Sequence, residues 1–268
     1  MSAWRRLTGW IDQHIILMIG VLVLVYMFIP VVVVMAMSFN QPPSRNLYEF
    51  GTFTWHNWTA FCEPYGMCEA LWRSVQIGIL STVIATTLGT LMAFALVRHR
   101  FIGRSTVNLF VFLPMATPEI VMGSSLLALF VALGWGGQLG FWTILIAHIM
   151  FCLSFVVVTV KARLIGMDSR LEEAAMDLYA TPWQTFWRIT FPMVFPGILG
   201  AALLSFSLSF DDFIITNLSA GNATTFPMFV WGSAKRQIPM QVNVVGTLMF
   251  LIALSIVLAS ELRRRRSA

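Results

Sequence analysis

Three carboxylates interrupt long apolar stretches of this sequence. Asp211 and Asp212 stand side by side in LSFSLSFDDFIITNL, residues 204–218, and Glu119 lies in FLPMATPEIV, residues 112–121. Acids inside a membrane are expensive to bury and usually face a cavity or a partner. No Lys or Arg lies within these stretches to neutralise them. The pattern therefore predicts a pathway that holds a cation.

The elements that position these acids follow from composition. Of 268 residues, 58% are hydrophobic and 11% are charged, whereas soluble domains average about 25% charged residues. Runs of about 20 apolar residues cross a bilayer as helices. Six such runs lie near 15–37, 75–97, 106–133, 141–160, 196–217 and 242–260. We expect an all-α integral membrane protein with six transmembrane helices, in one transmembrane domain over residues 1–268.

Counting along these spans places the acids at similar depth. At 1.5 Å per residue, Asp211 lies about 22 Å from Pro196, and Glu119 lies about 20 Å from Thr106. Adjacent helical residues differ by about 100°, so one of Asp211 and Asp212 faces the cavity and the other a neighbouring helix. The alternative is structural: the acids cap broken helices or pair with nearby serines. We expect His148, at comparable depth, to be a packing hydrogen-bond donor.

The distribution of basic residues predicts orientation. Thirteen of the 17 Lys and Arg residues fall on one side, which the positive-inside rule makes cytoplasmic, together with both termini. These are Arg5, Arg6, Arg98, Arg100, Arg104, Lys161, Arg163, Arg170, Arg188 and Arg263 to Arg266; Arg45, Arg73, Lys235 and Arg236 fall outside. The basic composition therefore reflects topology, and we expect no nucleic acid partner.

Other chemistries find little support. No Cys and His residues stand at metal-ligand spacing, and no GxxxxGK[ST] motif is present to bind ATP. An intramembrane enzyme would need a nucleophile or a paired acid and base, which a lone His148 does not supply. We expect no cofactor in this chain. Cys62 and Cys68 share an outer loop, where a disulfide and two free thiols are both open.

The longest cytoplasmic loop, about residues 161–192, carries two predicted helix starts. Ser169 and Glu172 have capping-box spacing, and Thr181 with Gln184 repeats it. On the first helix an apolar face recurs at i, i+3, i+4 and i+7, with small residues in the middle. Its members are Leu171, Ala174, Ala175 and Leu178.

This loop resembles the EAA signature of ABC importer permeases. Glu173, Ala174 and Ala175 are followed, at the intervals of that signature, by Ile189, Phe191 and Pro192. Tyr179 departs from the pattern, because it stands where the family usually has the glycine that adopts positive φ at a helix end. Phe191 replaces the usual leucine.

The resemblance implies the type I ABC importer permease fold and a set of partners. The loop would be the coupling helix that docks on a separate cytoplasmic ABC ATPase, present in two copies, which binds ATP and Mg. We assign the coupling role to Glu172, Glu173, Ala174, Ala175, Asp177 and Tyr179. The resemblance also implies a second permease subunit, an extracytoplasmic binding protein, and a place in the bacterial inner membrane.

A narrower resemblance suggests the substrate. SFDDFIITNLSAGNATTFPMFVWGSAK and PEIVMGSSLLALF are similar to segments of the permeases of bacterial spermidine/putrescine importers. This implies polyamine import by alternating access, with Asp211, Asp212 and Glu119 on the pathway. The alternatives are an ABC permease for another small solute and a secondary cation transporter, which would have no use for the EAA loop.

Overall fold

The computed structural model describes residues 3–43, 49–235 and 238–266, and it is mainly helical. A five-residue π-helical turn, Phe186–Thr190, joins two of the helices. The helices are α1 (Ala3–Met37), α2 (His56–Thr59), α3 (Met67–Arg98), α4 (Arg104–Ala116), α5 (Glu119–Ala132), α6 (Phe141–Ile165), α7 (Arg170–Asp177), α8 (Pro182–Thr185), α9 (Phe191–Asp211), α10 (Ile214–Ser219), α11 (Phe226–Ala234) and α12 (Gln241–Arg266). The strands β1 (Asn40–Gln41) and β2 (Thr52–Phe53) pair antiparallel.

These helices correspond to the six predicted spans. His14–Met37, Met67–Arg98, Phe141–Ile165 and Pro182–Asp211 are each long and apolar enough to cross a membrane. The pair α4 and α5 reaches that length only together, and Gln241–Ile256 is a shorter apolar helix. The prediction of an all-α membrane protein is confirmed.

Two of the predicted spans are broken. The third, expected over 106–133, bends by 110° between α4 and α5, because Pro118 cannot donate a backbone hydrogen bond and Thr117 before it is extended, at ψ 132°. The fifth, expected over 196–217, ends at Asp211. Asp212 is extended at ψ 125° and α10 then starts separately. The depth predicted for Glu119 assumed a straight third span and was therefore wrong, whereas α9 is continuous from Pro196 to Asp211, as the depth predicted for Asp211 assumed.

The loop predicted to be cytoplasmic is also shorter than expected. Helix α6 continues to Ile165, and from Pro182 the chain is helical through to Asp211. The capping box of Thr181 and Gln184 is confirmed, but its helix runs on through the π-helical turn into α9. Ser169 makes no capping bond, so that prediction was wrong; Asp168 Oδ1 accepts the Arg170 N–H in its place.

The chain divides into two compact units. One comprises residues 1–65 and 232–268, where Gly246 of α12 lies against Val34 of α1. Asn57, buried in this unit, donates to the carbonyls of Ser38 and Asn40 and so fixes the turn after α1.

The other unit, Gly66–Trp231, is built around α3, α6 and α9. These helices approach closely at small residues, as membrane helices do. A Cβ atom added to Gly89 of α3 would lie 2.6 Å from Val156 Cγ1 of α6, and one on Gly78 would lie 3.0 Å from Phe206 of α9. The core of this unit therefore holds α9, the helix that ends at Asp211.

Two further features concern the segments predicted to lie outside. Helix α11 is a short helix between α10 and α12. Cys62 and Cys68 are both disulfide-bonded, and Cys152 is a buried free thiol. Arg45 and Arg236, which the topology prediction places outside, lie beyond the described residues.

Candidate functional site

The two broken helices meet at their acids. Glu119 is the first residue of α5, and Asp212 lies at the junction of α9 and α10. Helix α5 packs on α10 at Gly123, where an added Cβ would lie 2.8 Å from Leu218 Cδ1. Glu119 stands one turn before Gly123 on α5, and Asp212 stands three residues before Ile215, whose Cα an added Gly123 Cβ would meet at 3.4 Å. The packing of α5 on α10 thus places the breaks that carry the three acids on neighbouring elements.

Asp212 caps the start of α10. Its Oδ2 accepts the Thr216 N–H at 2.8 Å and the Thr216 hydroxyl at 2.9 Å, and its Oδ1 accepts the Ile215 N–H at 3.4 Å. The side chain is 3% exposed. Because its oxygens are engaged within the chain, Asp212 is the member of the pair that faces a neighbouring helix.

His148 of α6 joins both sides of the break. Its Nδ1 lies 2.7 Å from Ser209 Oγ of α9, and its Nε2 lies 2.8 Å from Thr216 Oγ1 of α10. Nε2 is also 3.5 Å from Asp212 Oδ2. Ser81 of α3 donates to Ser209 Oγ at 2.9 Å, which extends the network to a third helix. This buried polar network is structural, and it holds the break in one geometry.

Asp211 and Glu119 differ from Asp212 in being exposed within this chain. Asp211 is the last residue of α9, and Glu119 stands in the first turn of α5, where the partial positive charge of a helix N-terminus favours a carboxylate. The geometry therefore separates the roles of the acids. Two carboxylates are presented outward from the breaks, and one holds the backbone that presents them.

The EAA segment forms α7 and presents a largely exposed surface. Glu173, Ala174, Asp177 and Leu178 are exposed, with Leu178 at 82%, whereas Ala175 is buried. The predicted apolar face is thus not covered by this chain, because Ala175 alone of its four members is buried. Such a surface is available to a partner.

Tyr179 has the backbone conformation expected of the missing glycine. Its φ is +63°, and it is the one non-glycine residue with positive φ among those described. The Tyr179 N–H donates to Met176 O and the Ala180 N–H to Ala175 O, the pair of bonds that ends a helix in a Schellman motif. The ring is 96% exposed. Tyr179 therefore forms this turn with the positive φ that glycine would adopt more readily.

Glu172 lies apart from the other coupling candidates, because its side chain turns inward. Arg98 Nη2 of α3 lies 2.6 Å from Glu172 Oε1, and Thr190 Oγ1 donates to the same oxygen. Sequence reasoning missed Arg98, Thr190, Thr216 and Ser81. Polar residues within or at the ends of apolar helices were the available signal, but Glu172 lies 18 residues from Thr190, and Ser209 lies 128 residues from Ser81.

No three His, Cys, Asp or Glu side chains in the described parts of the chain group as metal ligands.

Comparison with known proteins defines the class. The family described as "Binding-protein-dependent transport system inner membrane component" matches residues 85–263, and the chain belongs to it. Solved structures agree in fold. An ABC transporter involved in import of the acidic polysaccharide alginate has a TM-score of 0.64 at 16% identity, over 97% of this chain and 99% of that one. The MetNI methionine ABC transporter has a TM-score of 0.59 at 14% identity, over 77% of this chain and 97% of that one.

Relatives in sequence are more specific. The chain is 36% identical over 241 residues to the spermidine/putrescine transport system permease protein PotC of Escherichia coli K12, covering 90% of each. It is 35% identical to the Haemophilus influenzae protein of that name, over 90% of this chain and 93% of the relative. The putrescine transport system permease protein PotI of Escherichia coli K12 is 35% identical, over 88% of this chain and 84% of the relative.

Proposed function

We propose that this chain is the permease subunit of an ATP-driven importer that moves polyamines such as spermidine and putrescine into the cytoplasm by alternating access. The observation that carries the substrate assignment is that Glu119 and Asp211 stand at two helix breaks held together by the packing of α5 on α10, and that both are exposed within the chain. The names of the relatives at 35–36% identity support it.

The physical argument concerns the cost of charge in a membrane. An exposed carboxylate on a membrane helix cannot face lipid cheaply, so it meets water or a partner. Discontinuous helices near the midplane form the binding sites of many transporters. A polyamine carries several ammonium groups separated by short apolar chains, and two acids on neighbouring breaks match that pattern. Asp212, engaged with His148 and Thr216, contributes negative potential and not a direct contact.

The remaining parts of the importer come from other chains. The exposed surface of α7, with Glu173 and Ala174, docks on a cytoplasmic ABC ATPase, two copies of which bind ATP and Mg and supply hydrolysis. A second permease subunit completes the pathway, and an extracytoplasmic binding protein delivers the polyamine. Both termini lie in the cytoplasm, and the complex lies in the bacterial inner membrane, in keeping with the family description.

Uptake of labelled spermidine and putrescine tests the proposal. In cells that lack redundant polyamine importers, deletion of this gene should abolish saturable uptake and its return should restore it. Uptake should stop when ATP is depleted, and should continue when an ionophore collapses the membrane potential while ATP is maintained. Uptake that follows the membrane potential would indicate a secondary transporter. Uptake unchanged by deletion would exclude polyamines as the cargo.

A further inference from the structure

Helix α7 is attached to the rest of the Gly66–Trp231 unit by little apolar packing. Ala175 is its one buried residue, and Leu171 and Met176 are 45% and 49% exposed. A cavity of about 290 Å³ lies between α7, the end of α3, and the residues that lead into α9. Specific polar contacts are therefore needed to fix the position of α7.

One carboxylate oxygen supplies such contacts. Glu172 Oε1 receives both the Arg98 guanidinium, at 2.6 Å, and the Thr190 hydroxyl. Hydrogen bonds between charged partners are short and about twice as strong as neutral ones. The Glu172 side chain is 14% exposed, so water screens the pair less than it would a surface ion pair.

The two partners of Glu172 lie at places from which movement can spread. Arg98 is the last residue of α3, and Thr190 is the last residue of the π-helical turn before α9. π-Helical turns are rare and occur frequently at functional sites. A single oxygen of α7 thus contacts the ends of two helices that form the core of the unit.

We infer that Glu172 is a positioning residue that transmits the displacement of α7 to α3 and α9. The inference rests on the proposed function, because the ATPase is what would move α7. The ion pair between Glu172 and Arg98 is attractive, so it can pull α3 along when α7 moves away from it. Loose packing contacts beside a cavity can transmit only a movement of α7 toward α3. Glu172 therefore acts within the chain, and Glu173 and Leu178 face the partner.

The test uses the complete complex, with its ATPase, in proteoliposomes. The quantity measured is the amount of spermidine taken up per ATP hydrolysed. Glu172→Ala should keep ATP hydrolysis, because the exposed face of α7 is unchanged, but should lower uptake per ATP about tenfold. Glu172→Gln should give an uptake per ATP between those of the wild type and Glu172→Ala, since its amide oxygen still accepts both hydrogen bonds. The double variant Glu172→Ala with Arg98→Ala should lower uptake per ATP little further than either single variant, because both substitutions remove the same ion pair.

Arg100→Ala is the matched control. Arg100 is exposed two residues beyond Arg98, and its removal should leave the ratio unchanged. If Glu172→Ala takes up as much spermidine per ATP hydrolysed as the wild type, the inference is overturned. A parallel loss of assembly, hydrolysis and uptake would also overturn it, since that result indicates a purely structural role.

If the wild-type complex takes up no polyamine, the proposed substrate fails, but the inference is still measurable. A cysteine in place of Leu203, which is 52% exposed on α9, is labelled with a maleimide with and without ATP. The ATP-dependent change in labelling rate should disappear in Glu172→Ala. Its persistence would show that α7 reaches α9 by another route.

Discussion

Nε2 of His148 lies 3.5 Å from Oδ2 of Asp212, inside a network that spans the break between α9 and α10. His148 also contacts Ser209 before the break and Thr216 after it. Both His148 and Asp212 are buried. An imidazole held at both ring nitrogens fixes the relative position of two short backbone segments. Asp211, which directly precedes Asp212, is presented from a backbone set by this contact.

His148→Ala should destabilise the protein and reduce uptake. Each buried polar group left without a partner costs about 1–3 kcal/mol, and the substitution removes partners of Ser209, Thr216 and Asp212. Thermal unfolding of the purified complex in detergent should shift to lower temperature. His148→Gln, which can both donate and accept, should recover part of the loss. Wild-type thermal stability in His148→Ala would show that the network contributes nothing.

Gly123→Val should separate α5 from α10. The valine side chain would meet Leu218 and the backbone of Ile215, and overpacking of this kind costs about 1–3 kcal/mol. Uptake should fall because Glu119 moves away from Asp211. Gly200→Ala is the control, since nothing in the chain lies within 4 Å of a Cβ added there. Equal effects of the two substitutions would contradict a specific contact at Gly123.

Tyr179→Gly should stabilise the turn after α7. Left-handed backbone costs a non-glycine residue roughly 1–2 kcal/mol, of which the freedom of unfolded glycine offsets a part, so we expect a net gain of about 0.5–1 kcal/mol. Differential scanning calorimetry of the purified protein measures this gain as a higher unfolding temperature. Tyr179→Ala keeps the positive φ and should show no such gain. A lower unfolding temperature in Tyr179→Gly would mean that the tyrosine ring stabilises the turn.

Glu173→Ala should weaken the interaction with the ATPase and not the fold. Its side chain is exposed, and a charged contact at an interface contributes about 1.5–3 kcal/mol. Substrate-stimulated ATP hydrolysis should fall, and more ATPase should be needed for half-maximal activity. Normal stimulation in this variant would remove Glu173 from the docking surface.

Sequence patterns predicted the helices better than their breaks. Hydrophobic length located four long helices, the bent pair α4 and α5, and the shorter apolar helix Gln241–Ile256, because the bilayer sets that length. The break at Thr117 and Pro118 lies inside one predicted span, and its 110° angle has no counterpart in the hydropathy pattern. Asp212 ends α9 through side-chain bonds to residues that follow it, which no hydropathy measure detects.

The candidate site was predicted in part. The three acids were identified because charge in an apolar span is rare, and the structure places them at the breaks of neighbouring helices. The division between an outward Asp211 and a capping Asp212 was open in the sequence, since a 100° difference does not say which residue faces which side. The contact between Arg98 and Glu172 joins residues 74 apart. Such pairs follow from tertiary packing and have no local signal.

ATP-driven uptake of labelled spermidine by proteoliposomes with Asp211→Asn tests the central claim most directly. Loss of one charged contact should lower uptake by about 10- to 100-fold, while the assembled complex elutes as wild type. Glu69→Gln removes an exposed carboxylate paired with Arg73 and should leave uptake unchanged. Wild-type uptake in Asp211→Asn, with the same apparent affinity for spermidine, would contradict the account.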